Sequence, residues 1–154
     1  MSKIEEKLKS LNIVVPQALA PVANYVGFVK SGNQVIISGQ LPAENGQMKY
    51  VGKVGSQISA DDAKKAARLC AINILAQLKS ACDGNLDRVK KCVKLGIFVN
   101  GDADFTAHPA VANGASDLIV EVFGEAGKHA RAAVGSGSLP LGVSVEIDAI
   151  FEIE

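Results

Sequence analysis

The chain has 154 residues, of which 48% are apolar and 21% are charged, and this predicts one globular domain with its own core. Sixteen basic residues balance sixteen acidic ones, so no net charge attracts nucleic acid or an anionic membrane. No apolar run could span a bilayer and the N-terminus has no signal-peptide pattern, so we expect a cytoplasmic protein that does not bind membranes.

The N-terminal segment predicts a short helix followed by an extended connector. Residues 2–11 place their apolar side chains on one helical stripe, and Ser2 is suited to cap the first turn. Residues 12–23 are apolar and are interrupted by Pro16 and Pro21, which disfavour a helix. We therefore expect an irregular, extended path there.

The next segment has the pattern of a β-hairpin. Residues 25–30 and 34–40 are rich in β-branched and aromatic residues, and Ser31-Gly32-Asn33 between them favours a tight turn. Asn45-Gly46 indicates a second turn, and a short strand is expected at residues 48–51.

The middle of the chain predicts a long helix and then a strand. Ser59 and Asp62 form a capping pattern, and small apolar residues recur at three- and four-residue spacing as far as residue 81. Gly84-Asn85 ends this unit. Residues 89–99 then alternate between the two faces of a strand.

The last third predicts a weaker helix over residues 104–123 and strands at 131–135 and 143–153, with a hairpin loop between the two strands. The predicted order of elements is a pair of hairpin strands, a helix, a strand, a helix and two strands. This order builds an α+β fold, a single sheet with two helices packed on one face. We expect one domain over residues 1–154, with about 1–20 as an N-terminal helical extension.

The sheet face away from the helices is expected to mix apolar and charged side chains. We place six residues there: Glu146, Asp148, Cys92, Phe98, Ile150 and Lys94. Such a surface is too apolar to be left fully in water, and packing against identical subunits would cover it.

The strongest chemical pattern is an arginine that opens a strand ahead of an acid-bearing strand. Arg131 could hold a carboxylate by two parallel hydrogen bonds, and an acid on the neighbouring strand could orient a water molecule. The residues alone also allow an ion-pair role for Arg131, and cross-strand pairing of Glu146 with Lys90 or Lys94.

These motifs resemble the RidA family, also called the YjgF family. The resemblance covers residues 20–153 and is carried by residues 31–42, by the middle helix and strand, and by residues 131–150 with their intervening Leu139-Pro140. The length and the N-terminal helix resemble a longer, less characterised branch, whose members are also called endoribonuclease L-PSP or translation inhibitors.

The resemblance implies a chorismate-mutase-like homotrimer with a cleft at each subunit interface. Arg131 would grip a substrate carboxylate, Glu146 would act on the attacking water, and Tyr25, Gly39 and Asn113 would line the pocket. The implied reaction is the cofactor-free hydrolysis of enamine or imine acids, such as 2-aminoacrylate, to a 2-keto acid and ammonia. The partners would thus be a small carboxylic, keto or imino acid and the other subunits.

Other readings of the sequence remain open. Family members often have a cysteine two residues after the arginine, where this chain has Ala133, so a trimer that binds ligands without turnover is an alternative. An endoribonuclease is a second alternative, which the balanced charge disfavours.

Two histidines and three cysteines without ligand spacing give no reason to expect a metal. Tyr25 could be only a packed aromatic residue.

Overall fold

The computed structural model describes residues 1–21 and 23–154. The regular elements are helices α1 (Lys3–Ser10), α2 (Ala60–Ala81) and α3 (His108–Phe123), and strands β1 (Phe28–Ser31), β2 (Gln34–Gln40), β3 (Ala43–Glu44), β4 (Gln47–Met48), β5 (Val89–Val99), β6 (Ala130–Gly135) and β7 (Val145–Ile153). Short 3₁₀ turns lie at Leu86–Arg88 and Gly124–Gly127, and Pro140–Gly142 forms a tight, non-helical turn.

One main sheet organises the chain, with strands in the order β1-β2-β7-β5-β6. β5 and β6 are parallel and are connected through α3, whereas the other neighbours are antiparallel. The α+β class is confirmed. The N-terminal helix α1 is present as predicted beside the two helices of the sheet, but the prediction of a single sheet was incomplete, because β3 and β4 form a separate two-stranded ribbon.

Helix α2 lies at the centre of the core because its inward face is small. The Ser59 hydroxyl accepts a hydrogen bond from the Asp62 amide at 3.1 Å and caps the helix as predicted. Its inward-facing side chains are fully buried: Ala63, Ala66, Ala67, Cys70, Ile74 and Leu78. Gly114 of α3 lies against the backbone carbonyl of Lys64, so the two helices approach closely.

Helix α1 lies within the predicted helix of residues 2–11, and residues 13–21 form no helix, in agreement with the expected extended connector. Its first turn is attached to the domain by Asp87, whose carboxylate accepts hydrogen bonds from the amides of Lys3 and Ile4 at 3.0 and 2.9 Å. These bonds, the one from Ile4 above all, lower the pKa of Asp87. Asp87 thus helps to hold the first turn of the N-terminal helix against the domain.

The end of the chain departs from the predicted hairpin. β7 is inserted between β2 and β5, while β6 pairs with the far side of β5, so the loop after residue 135 crosses to another part of the sheet. Irregularities in β5 also rotate Cys92 towards the core, where it pairs with Phe151 and is 1% exposed. The placement of Cys92 on the second face was therefore wrong.

The second face of the sheet has no cover within the described ranges of one chain, and we call it the open sheet face. Its apolar side chains remain exposed by 36 to 51%: Val29, Ile36, Phe98 and Val134. Ile36 pairs with Ile150, and Phe98 pairs with Glu146 on one side and Val134 on the other. Apolar rows therefore run across this face beside acids.

None of the three α-helices in residues 1–21 and 23–154 has the combined length and apolar character needed to cross a bilayer.

Candidate functional site

Arg131 lies at the edge of the sheet in a hydrogen-bonded group that we call the arginine cluster: Asn113, Ser116, His129 and Arg131. The Arg131 Nη1 donates to Asn113 Oδ1 at 2.8 Å and to Ser116 Oγ at 3.1 Å. Among the described residues, its Nε and Nη2 groups make no hydrogen bond. The guanidinium is thus held on one side and presents its other edge, which suits a planar carboxylate.

The fold explains this arrangement. Arg131 pairs with the buried Leu95 of β5, so its side chain lies on the helix side of the sheet. Asn113 and Ser116 are three residues apart on α3 and therefore face the same direction. The parallel β5-α3-β6 unit brings this face of α3 over the start of β6.

Glu146 lies on the other side of the sheet, half-buried on β7 and paired with Phe98. Burial, with a contribution from the nearby Asp148, raises the pKa of Glu146. A carboxyl group with a raised pKa is better suited to exchange a proton with water near neutral pH than an ordinary surface glutamate.

Gly39 lies directly against the Glu146 carboxylate. The register between β2 and β7 shifts between the pairs Ile37–Ala149 and Gln40–Ile147, which marks a bulge that contains Gly39. A methyl group on Gly39 would overlap the Glu146 carboxylate and would displace it from this position.

A cleft of about 380 Å³ runs beside Gly39, and we call it the Gly39 cleft. Its large side chains are mostly apolar: Leu19, Pro21, Tyr25, Leu41, Met48 and Leu141. Tyr25 precedes β1 and is 55% exposed, and its segment is attached to β2 by Ser38, whose hydroxyl donates to the Val26 carbonyl at 2.6 Å. Tyr25 therefore faces the same cleft as Gly39.

The lining of this cleft contains a strained residue. Leu141 has a φ of 58°, a left-handed conformation that is costly for a residue with a branched side chain, and it is 70% exposed. Gln77 of α2 also lines the cleft, and its Nε2 donates a hydrogen bond to the Leu19 carbonyl at 3.0 Å. Neither residue was among the site residues predicted from sequence.

One chain thus brings the predicted site residues together in two groups and not in one. Arg131 contacts Asn113 on the helix side, while Gly39 contacts the Glu146 carboxylate and shares the Gly39 cleft with Tyr25. The expectation of an acid on the neighbouring strand was wrong, because β5 separates β6 from β7. Arg131 and Glu146 lie two strands apart and are offset by three residues along the strands, which puts their Cα atoms roughly 14 Å apart. Their side chains lie on opposite faces of the sheet.

Ser116 and His129 belong to the arginine cluster, although neither was predicted as a site residue. The Ser116 Oγ lies 2.8 Å from His129 Nε2, and His129 Nδ1 lies 2.6 Å from the Gly127 carbonyl. The sequence contains one signal for His129. Residues two apart in a strand point to the same face, so residues 129 and 131 would lie on one side of a strand that includes both.

The fold defines an α+β protein of the chorismate-mutase-like class. A family model described as "YjgF/chorismate mutase-like, putative endoribonuclease" matches residues 5–152. The chain belongs to this family, which confirms the resemblance seen in the sequence.

Individual relatives match over almost the whole chain. Protein TCP17 of Trypanosoma cruzi is 46% identical over 98% of this chain and 94% of its own length. A 2-iminobutanoate/2-iminopropanoate deaminase of Dermatophagoides farinae is 28% identical over 92% of this chain and 95% of its own. The crystal structure of Atu1372 from Agrobacterium tumefaciens, a protein of unknown function, has a TM-score of 0.92 and 50% identity, with coverages of 98% and 92%.

Proposed function

We propose that this protein is a homotrimer that binds small 2-keto and 2-imino acids between its subunits and hydrolyses the imino acids to keto acids and ammonia. The observation that carries the proposal is the arginine cluster, in which Arg131 is held through Nη1 while Nε and Nη2 remain open for a carboxylate. An arginine held in this way pays less entropy on binding than a free side chain.

Assembly is part of the proposal, because the two groups of site residues lie on opposite faces of one chain. A carboxylate on Arg131 of one subunit reaches a Glu146 only if that glutamate comes from a neighbouring subunit. The open sheet face supports such packing, since Val29, Ile36, Phe98 and Val134 expose apolar surface beside Glu146.

The proposed reaction needs only water and a proton carrier. Glu146 takes a proton from a water molecule whose oxygen attacks the imine carbon, and passes this proton to the imine nitrogen, so that a neutral carbinolamine forms. Glu146 then takes the proton of the carbinolamine hydroxyl and passes it to the nitrogen as the carbon–nitrogen bond breaks, which releases ammonia and a 2-keto acid. The raised pKa of Glu146, caused by burial and by Asp148, suits both steps.

The relative from Dermatophagoides farinae supports the reaction class, since its name is that of an imine deaminase. Ala133 lies on β6 two residues after Arg131, and it pairs with Ile97 of β5. No thiol from this position can take part, so the proposed chemistry rests on Glu146.

The test is to incubate the pure protein with 2-aminoacrylate, generated in situ by a dehydratase acting on serine, and to follow pyruvate and ammonia release. We expect release to be faster than the spontaneous hydrolysis, and Glu146→Gln to remove the acceleration. A wild-type rate equal to the spontaneous one would contradict the deaminase proposal.

Keto-acid binding without turnover would instead favour the ligand-binding alternative, which Ala133 motivates. RNA cleavage that survives stringent purification would favour the endoribonuclease alternative. Because acidic and basic residues balance, we expect RNA binding on the order of 10⁻⁴ M or weaker at physiological salt.

A further inference from the structure

Ser116 and His129 stand behind Arg131 in a chain of hydrogen bonds that the proposed chemistry does not use. Arg131 Nη1 lies 3.1 Å from Ser116 Oγ, Ser116 Oγ lies 2.8 Å from His129 Nε2, and His129 Nδ1 lies 2.6 Å from the Gly127 carbonyl oxygen. The chain therefore runs from the guanidinium to a fixed backbone atom.

The donors and acceptors in this chain can be assigned from one end. The Gly127 carbonyl can only accept, so His129 carries its proton on Nδ1. The Nε2 of the neutral ring is then an acceptor, and the Ser116 hydroxyl donates to it. The lone pairs of Ser116 Oγ remain available for the Nη1 of Arg131, which can only donate.

This assignment gives His129 a specific effect on Arg131. A serine within a helix commonly turns its hydroxyl to the carbonyl four residues earlier. Here the hydroxyl is committed to His129, and its lone pairs are directed at the guanidinium. Together with Asn113 Oδ1, they fix the plane of the guanidinium and leave its Nε and Nη2 edge open.

We propose that Ser116 and His129 are positioning residues that hold the Arg131 guanidinium in the orientation that binds a substrate carboxylate. The proposal rests on the proposed function, because it assigns Arg131 the role of carboxylate anchor. It predicts weaker binding when either residue is removed, although neither touches the ligand.

The first measurement is the affinity for 2-ketobutyrate by titration calorimetry. We expect Ser116→Ala and His129→Phe to weaken binding about five- to tenfold, the scale of one hydrogen bond, and Ser116→Thr to retain it because the hydroxyl remains. In the deamination assay the same losses should appear in KM more than in kcat.

Lys128→Ala is the matched control. It changes the residue next to His129 and breaks only an exposed ion pair with Glu125, in which both side chains are at least 65% exposed. We expect it to bind 2-ketobutyrate as the wild type does. Thermal unfolding identifies any variant that fails to fold. If either Ser116→Ala or His129→Phe fails to fold, the affinity of the other variant tests the positioning role.

The second measurement needs no ligand. The sequence has three arginines, so the side-chain NMR signals of Arg131 can be assigned by substitution. We expect restricted rotation of its guanidinium, seen as separate Nη1 and Nη2 signals, in the wild type, and averaged signals in Ser116→Ala.

The outcomes separate this inference from the proposed function. Wild-type affinity and restricted rotation in folded Ser116→Ala and His129→Phe would overturn the positioning role while the anchor stands. A wild type that binds no keto acid would overturn the proposed function and the binding role inferred here.

Discussion

Arg131 is the residue on which the binding proposal depends most directly. Lysine at this position would keep the positive charge but lose the planar fork that makes two parallel hydrogen bonds. We expect Arg131→Lys to fold and to lose roughly 1.5–3 kcal/mol of keto-acid binding free energy, the scale of one charge-assisted hydrogen bond. Calorimetry with 2-ketobutyrate measures it. Equal affinity in variant and wild type would mean that Arg131 has a structural role only.

Glu146 makes the protein's stability depend on pH in a defined direction. Burial, and to a smaller extent Asp148, raise its pKa above the ordinary value that the side chain has in the unfolded chain. Between these two values the folded state binds more protons than the unfolded state, so the free energy of unfolding falls as pH rises through the raised pKa. The proposed catalytic role thus carries a cost in stability.

Replacing this carboxylate should remove that cost. We expect Glu146→Gln to unfold at a higher temperature than the wild type at pH 7, and this difference to become smaller towards pH 4, as Glu146 is protonated. Thermal unfolding at the two pH values measures the difference. A gap of the same size at both values would show that ionisation of Glu146 is not its cause.

Among the elements, the crossing of α2 and α3 depends on the absence of a side chain at Gly114. A methyl group there would overlap the Lys64 backbone carbonyl, which cannot move without shifting its helix. We expect Gly114→Ala to lower the free energy of unfolding by about 1–3 kcal/mol, the usual cost of overpacking. Chemical denaturation measures this value.

Gly137→Ala is the matched control for the helix crossing. Gly137 lies in the loop after β6, has no positive φ, and a methyl group there would meet no atom within 4 Å. We expect a change of less than about 0.5 kcal/mol. Equal losses in both variants would show that the helix crossing is not the cause.

The elements differ in how much the sequence reveals about them. The start of α2 and the bounds of β5 were predicted well, because capping by Ser59 and the alternation of residues 89–99 are local signals. The order of the strands was not, since pairing of β5 with both β6 and β7 depends on the α3 crossover. The rotation of Cys92 into the core depends on bulges that the alternation pattern does not show.

The candidate site also combines features that the sequence predicts with features that only the fold creates. The resemblance implied that Asn113 and Arg131 belong to one pocket, but it did not imply the hydrogen bond that Arg131 donates to Asn113. Ser116 and His129 follow no recognisable motif, and only the packing of α3 over β6 brings them together. The separation of Arg131 from Glu146 likewise follows from strand order, which no local pattern in the sequence predicts.

For the whole molecule, the open sheet face predicts assembly. Val29, Ile36, Phe98 and Val134 expose apolar side chains across four strands, and a stable monomer would leave them in water. We expect light scattering at micromolar concentration to give three times the mass of the chain. The mass of a single chain would contradict the trimer and remove the proposed interface site.

The most direct test of the central claim is to mix two inactive variants. We expect Arg131→Ala and Glu146→Gln each to lose deamination, because each lacks one half of every site. If neighbouring subunits supply the two halves, trimers reassembled from an equal mixture contain intact sites, and random assembly restores about a quarter of the wild-type rate. No recovery in mixed trimers of proven composition would contradict a site built by Arg131 of one subunit and Glu146 of the next.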